Sequence, residues 1–216
     1  NGYFNSPWGV AVDVYDNIIV ADMSNHRVQL FKNDGTFIRA FGSNGSGNGY
    51  FNSPCGVVVD KVNNIIVADT GNHRVQIFNN NGTFIRAFGS IGATDGYFNN
   101  PVAVAVDSNN NIFVADQSNG RVQVFSNDGT FIDKISFPGV KDVAIDAIGN
   151  AIIISNYVIH LYNNNRTYVT QIGSQGSSNG QFNYLNGVAI DANGKVIVTE
   201  YVNNRIQTIG SPLPPA

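Results

Sequence analysis

The chain has 216 residues, of which 43% are apolar and only 12% charged, and its formal net charge is −3. That length suits one domain with a sizeable apolar core. No basic run is present, so bulk electrostatics gives nucleic acid no reason to bind. No stretch is apolar for long enough to cross a membrane as a helix.

The first predicted elements are four short β-type runs, at residues 9–12, 17–21, 27–31 and 36–41. All are rich in Val, Ile and Phe and bounded by Gly, Asn, Asp or Pro. Val10-Ala11-Val12 and Ile18-Ile19-Val20 are continuous apolar runs, as inner strands covered on both faces should be. Residues 36–41 partly alternate, as a half-exposed outer strand should.

Then the pattern restarts. Gly2-Tyr3-Phe4-Asn5-Ser6-Pro7 returns as Gly49-Tyr50-Phe51-Asn52-Ser53-Pro54, and in worn form as Gly96-Tyr97-Phe98-Asn99-Asn100-Pro101. Aligned on the Asp that ends the first run (Asp13, Asp60, Asp107, Asp146, Asp191), successive units lie 47, 47, 39 and 45 residues apart. A period of that length is one four-stranded propeller blade. Asn33-Asp34-Gly35, Asn80-Asn81-Gly82 and Asn127-Asp128-Gly129 supply tight hairpin turns. No stretch keeps a helical period. The predicted fold is all-β: a β-propeller of four-stranded antiparallel blades, with five repeats legible and the last one incomplete. The blades fall at about 1–47, 48–94, 95–136, 137–179 and 180–210. Residues 211–216, Ser-Pro-Leu-Pro-Pro-Ala, read as a Pro-rich tail or linker of a domain within something larger.

The unit resembles the NHL repeat. The likeness rests on Pro7-x-Gly9-Val10-Ala11-Val12-Asp13, Ile19-Val20-Ala21-Asp22 and Asn25-His26-Arg27-Val28-Gln29, the last repeated as Asn72-His73-Arg74-Val75-Gln76. Unit three has Asn119-Gly120-Arg121 and unit five Asn203-Asn204-Arg205, while residues 155–160 of unit four lack the element. The resemblance implies a six-bladed ring, whereas five units are visible. A five-bladed ring and a part of a longer chain both remain open. It also implies a domain that mediates protein contacts.

Several smaller signals are better explained by the scaffold. Gly176-Ser177-Ser178-Asn179-Gly180 matches a nucleophile elbow but sits in a Gly/Ser loop with no helix predicted after it. Asp107-Ser108-Asn109-Asn110-Asn111 starts like a calcium loop, yet Ile112 stands where glycine is needed and Ser118 where glutamate is needed. His26, His73 and His160 do not form the three- or four-ligand set that zinc wants. No metal, cofactor or catalytic residue is therefore expected. Cys55 is the only cysteine, so no internal disulfide can form. Three sequons, at Asn44, Asn81 and Asn165, lean towards an extracellular or cell-surface setting.

Asp22/Arg27, Asp69/Arg74 and Asp116/Arg121 recur at one separation, and Glu200/Arg205 repeats it. A carboxylate and a guanidinium flanking a hairpin are expected to brace the turn between strands two and three.

Function should instead lie in columns that vary inside the constant frame. One is the residue two before the Val that opens the inner strand: Trp8, Cys55, Val102, Lys141, Asn186. The other follows the Val-Ala-Asp element: Met23, Thr70, Gln117, Tyr201. Both columns fall in loops on one face, near the channel mouth. The favoured reading is a non-enzymatic binding or scaffold module whose partner is a protein, or else a glycan, with Trp8 as an anchor. The alternative is a propeller lyase or hydrolase with a channel metal. An RNA-binding face, known for some NHL domains, is disfavoured by seven Arg and five Lys against fifteen acids.

Overall fold

The computed structural model describes residues 2–210, so the tail proposed at 211–216 lies outside it. Nineteen strands form five antiparallel sheets among these residues. Blade 1 holds β1 (Pro7–Val12), β2 (Ile18–Asp22), β3 (Arg27–Phe31) and β4 (Phe37–Phe41). Blade 2 holds β5 (Pro54–Val59), β6 (Ile65–Asp69), β7 (Arg74–Phe78) and β8 (Phe84–Phe88). Blade 3 holds β9 (Pro101–Val106), β10 (Ile112–Asp116), β11 (Arg121–Phe125) and β12 (Phe131–Ser136). Blade 4 holds β13 (Asp142–Ile145), β14 (Ala151–Ile154), β15 (Ile159–Tyr162) and β16 (Tyr168–Ile172). Blade 5 has three strands, β17 (Leu185–Ile190), β18 (Val196–Glu200) and β19 (Arg205–Ile209). The all-β propeller and its incomplete last blade are thus present as the sequence predicts.

Local chemistry sets each hairpin. The amide of Asp16 donates to the carbonyl of Asp13, and the Asp13 carboxylate accepts the amides of Tyr15 and Asn17. Asp16, Asn63, Asn110, Gly149 and Gly194 take the left-handed position of this turn in the five blades, which Asn, Asp and Gly tolerate best. Between strands three and four, Gly35, Gly82 and Gly129 carry the positive φ of the Asn/Asp-Gly turns.

Each strand alternates its apolar side chains between two neighbouring blades. Ile19, Ala21, Val28 and Leu30 of blade 1 meet Val57, Ile65, Val67 and Phe78 of blade 2 in one cluster. Ile66, Ala68, Val75 and Ile77 then face blade 3. The loops entering blades 2, 3 and 5 each insert a fully buried phenylalanine (Phe51, Phe98, Phe182). Burying such a ring contributes about 1.5–3 kcal/mol. Gly89 explains the glycine that precedes each insertion. Its φ is +85°, and a Cβ there would lie 2.3 Å from the Phe98 ring.

The inner strands pack in the order β1, β5, β9, β13, β17, and β17 has no comparable packing on β1. The ring of described blades is an open arc around a central channel.

Candidate functional site at the channel mouth

The repeated polar residues are spent on the frame. In blade 2 the Asp69 carboxylate, fully buried, accepts from the Asn52 amide (2.8 Å), Asn72 Nδ2 (2.9 Å), Arg74 Nε (2.7 Å) and Gln76 Nε2 (3.0 Å). Gln76 also accepts from the Gly49 amide and donates to the Tyr50 carbonyl, so the node ties the turn after β6 to the loop entering the blade. Asp22, Asp116 and Glu200 hold the same node with Arg27, Arg121 and Arg205. Burial pushes the Asp22 carboxyl up, but the Asn5 amide, Asn25 and Arg27 outweigh it and its pKa is lowered. Glu200 is lowered in the same way, with burial opposed by Arg205, Gln207, Asn183 and Asn203. The sequence shows the Asp/Arg pair. It does not show that the Gln of Arg-Val-Gln completes it.

The histidines and the loop motifs are also occupied. His26 Nδ1 accepts the Ser53 amide (3.0 Å), and His73 Nδ1 accepts the Asn100 amide (3.1 Å), each pinning its blade to the next. His160 lies far along the chain in blade 4, its ring 4.0 Å from that of Phe137, and burial lowers its pKa. Among the described residues no three His, Cys, Asp or Glu side chains converge as a metal site would require. The Asp107 carboxylate accepts from the Asn109 and Asn111 amides and from Asn111 Nδ2, so the calcium-like segment is a hairpin turn. Gly176–Gly180 precedes no α-helix, and none occurs among the described residues.

The channel encloses about 800 Å³ and is lined by the inner strands. Most of its wall is Val, Ala and Gly. Polarity collects at blades 4 and 5, where Lys141, Asp142, Asn186 and Thr199 line it, with Trp8 of blade 1 at the same channel. Lys141 Nζ lies 3.3 Å from the Tyr184 hydroxyl and 4.7 Å from the centre of its ring. Tyr184 in turn stands 6.1 Å from the Tyr201 ring, and the Tyr201 amide donates to the Tyr184 carbonyl. Tyr201 is 73% exposed, Trp8 is 53% exposed, and Asn186 is exposed.

The remaining variable positions turn towards neighbouring blades. Cys55 and Val102 are buried. Cys55 Sγ sits 3.8 Å from Met23 Sδ, and burial raises the thiol's pKa. Thr70 donates from its hydroxyl to the Pro101 carbonyl (2.6 Å). Met23, Thr70 and Gln117 are half-buried. The exposed variable positions are therefore Asn186 and Tyr201 of blade 5 and Trp8 of blade 1, with Lys141 of blade 4 half-buried.

Two residues of blades 4 and 5 lie outside the variable columns. Tyr184 sits where the Asn-Ser-Pro phrase has Ser6 and Ser53, in the same left-handed conformation. Asp142 stands where the other blades carry Gly9, Gly56, Ala103 and Gly187. That position is normally small because inner strands touch: a Cβ on Gly9 would lie 2.4 Å from the Cys55 carbonyl oxygen. Asp142 instead reaches across to blade 5, accepting the Val188 amide (2.9 Å) besides that of Val143 (2.8 Å). Burial pushes its pKa up to about 6 despite the two amides.

Repeated blades of mostly four strands, inter-blade phenylalanines and a carboxylate node at the second turn of four of the five described blades define a β-propeller built from one repeat. The NHL repeat profile matches residues 4–31, 51–78, 98–125 and 182–209, and the chain belongs to this family. Blade 4 is not among the matched segments. The chain is 50% identical to Protein brain tumor of Drosophila melanogaster over 44 residues, which is 20% of this chain and 4% of that protein. It is 60% identical to the E3 ubiquitin-protein ligase TRIM71 of Xenopus tropicalis over 37 residues, 17% of this chain and 4% of that protein. The chain thus spans a small fraction of the curated relatives it matches. In shape it is similar to a streptogramin B lyase (TM-score 0.71, 12% identity, 96% of this chain and 70% of that one). It is also similar to a chain of a nidogen/laminin complex (TM-score 0.67, 16% identity, 94% of this chain and 80% of that one). At such identities these likenesses concern the fold alone. No helix among the described residues is long and apolar enough to cross a membrane.

Proposed function

We propose that this propeller is a non-enzymatic binding module that takes a protein segment at the channel mouth between blades 4, 5 and 1. The observation that carries the reading is the contrast within one face. The repeated polar side chains are bonded within the frame, while Trp8, Tyr201 and Asn186 are left exposed and Lys141, which lines the same channel as Trp8 and Asn186, lies over the Tyr184 ring. Exposed aromatic rings with a nearby cation supply large contact area at small entropic cost, as interface anchors do. A glycan would use the same aromatic faces and is the second ligand to screen.

Trp8 is the sole tryptophan, so its emission reports directly on this surface. A cognate protein should shift that emission to the blue and bind with saturation. The Lys141→Ala/Tyr201→Ala chain should lose at least about tenfold in affinity, roughly 1.4 kcal/mol, with an unchanged thermal midpoint. Full binding by that variant would place the partner elsewhere on the propeller.

A further inference from the structure

Acidic side chains of the frame are compensated in one of two ways. Asp22, Asp69, Asp116 and Glu200, whose side chains are fully buried, each hold an arginine. Asp13, at a first turn, accepts from the Tyr15 and Asn17 amides and from the side-chain amides of Asn17 and Asn80. Asp142 has neither arrangement. It accepts one amide on each oxygen, from Val143 and Val188, and joins no ion pair among the described residues. Burial pushes its pKa up, where those of Asp13, Asp22 and Glu200 are lowered. An ionised carboxylate offers about four lone-pair sites, so Asp142 keeps acceptor capacity that no protein donor uses. It stands in the wall of a channel of about 800 Å³ whose other lining is mostly Val, Ala and Gly. Space is kept beside it. A Cβ built on Gly187 of β17 would lie 3.1 Å from Thr199 Oγ1 and 4.0 Å from Asp142 Oδ2, so the glycine leaves open a point within reach of both oxygens.

We propose that the channel binds a small organic cation, a primary ammonium on a compact apolar body, with its N–H groups on Asp142 and Thr199 over Gly187 and its body against the Val and Ala wall. The donor set selects this cation. One carboxylate and one hydroxyl are too few oxygens for calcium or magnesium, which take about six or more. A guanidinium binds best with its fork across both carboxylate oxygens, and here each oxygen already accepts an amide. A compact ammonium needs only one free lone pair. The apolar wall strengthens that ion pair by excluding water from it. Among the described residues the wall carries one other charge, Lys141, and its Nζ is engaged at the Tyr184 hydroxyl and ring. Of the strands packed on β13, β9, β14 and β17 carry no titratable side chain, and β10 carries Asp116, which is paired with Arg121. The ammonium site uses neither Tyr184 nor Tyr201, so it stands or falls apart from the protein-binding surface at the mouth.

The test is a calorimetric titration of the 216-residue chain at pH 7.5 with phenethylammonium and butylammonium. Phenethyl alcohol and butanol, which share the same bodies without the charge, are the references. Each ammonium should bind at least about tenfold more tightly than its alcohol. It should also shift the amide resonances of Val143 and Val188, the two that donate to Asp142. Asp142→Asn should abolish the preference for the charged member of each pair. Gly187→Ala leaves the carboxylate in place and fills the point between it and Thr199, so it should weaken both ammoniums by about tenfold while the thermal midpoint is kept. Between pH 7.5 and pH 5 the affinity of the parent chain should fall about tenfold, because Asp142, with its pKa of about 6, is then mostly protonated and only the ionised fraction binds. Equal affinity for ammonium and alcohol, an undiminished preference in Asp142→Asn, or unmoved Val143 and Val188 amides would overturn the inference. So would a chain that binds neither ammonium.

Discussion

Blade 2 and blade 4 solve the same problem in opposite ways. In blade 2 the turn between β6 and β7 is held by a buried carboxylate with four donors, the Asn52 amide, Asn72, Arg74 and Gln76 converging on Asp69. In blade 4 the corresponding turn is two residues shorter: the Ser155 amide donates to the Val158 carbonyl, and β14 passes directly into β15. His160 takes the register place of Gln76, opposite Ile153 where Gln76 lies opposite Val67. Ile152, Ile154, Ile159 and Leu161 supply apolar packing against blade 5. A polar node fixes the geometry of a longer turn; a short turn needs no node. The apolar solution gives up the link to the entering loop, and Asp142 supplies a different link to blade 5 from the inner strand.

The largest test of this contrast is Asp69→Ala. It removes the carboxylate that Arg74 Nε and the fully buried Gln76 amide both donate to, leaving Arg74 only the Gly47 and Tyr50 carbonyls and Gln76 Nε2 only the Tyr50 carbonyl. Removing one partner of such a buried group costs about 3–5 kcal/mol, so the denaturant midpoint should fall steeply while the slope is kept. Arg74→Leu added to Asp69→Ala should recover part of the loss, since the uncompensated guanidinium is then gone. A fall below about 1 kcal/mol would mean that the node is decoration on a turn already fixed by its backbone.

The fold was legible because the repeat restates itself. Period, turn residues and apolar runs agree across units one to three, and each points to the same blade. The Asp/Arg pairing was legible for the same reason, at four places with one spacing. The channel-mouth cluster was not. Tyr184 and Asp142 lie in blades 4 and 5, where the phrase is too worn to flag a substitution. Their contacts join residues 141 to 184 and 142 to 188 across a blade boundary, at separations no local pattern reports. Trp8, Lys141, Asn186 and Tyr201 stand in columns that vary between repeats, which the sequence does show. The column of Trp8 also holds Cys55 and Val102, which are buried where Trp8 is exposed.

Asp142 sharpens the contrast through pH. Its folded pKa of about 6 lies above the unfolded 3.8. Below 3.8 both states are neutral. As pH rises from there to about 6 the unfolded chain ionises first, so stability falls, and the loss is complete above 6. Asp22 and Glu200 have lowered pKa values and act in the other direction: their contribution is present above the unfolded value and disappears on acidification. Asp142→Asn keeps one acceptor for a strand amide and removes the charge. It should raise stability at pH 7.5 by about 1 kcal/mol, the relief of the buried charge less one weakened hydrogen bond. Near pH 4 the gain should vanish. A variant less stable than the parent at pH 7.5 would show that the ionised carboxylate is what holds blades 4 and 5 together.

Ser155→Ala is the smallest effect and the one that isolates the short turn. Ser155 occupies the place of Asp69 in the blade frame, yet its hydroxyl makes a single 3.3 Å contact, to the Val158 carbonyl. No guanidinium or glutamine amide depends on it, so nothing is stranded when it goes. The expected cost is about 0.5 kcal/mol, the lower end for one half-exposed hydrogen bond. Measured beside Asp69→Ala, the same position in two blades should therefore differ by several kcal/mol although both side chains flank the same hairpin. If Ser155→Ala costs as much as Asp69→Ala, the second turn of every blade is fixed by whatever stands at that position, and the division between a bonded and an apolar blade has no energetic content. If the two differ as stated, the stability of this propeller is concentrated in the turns that carry a carboxylate, and blade 4 is the place where the frame can vary most freely beside the channel mouth.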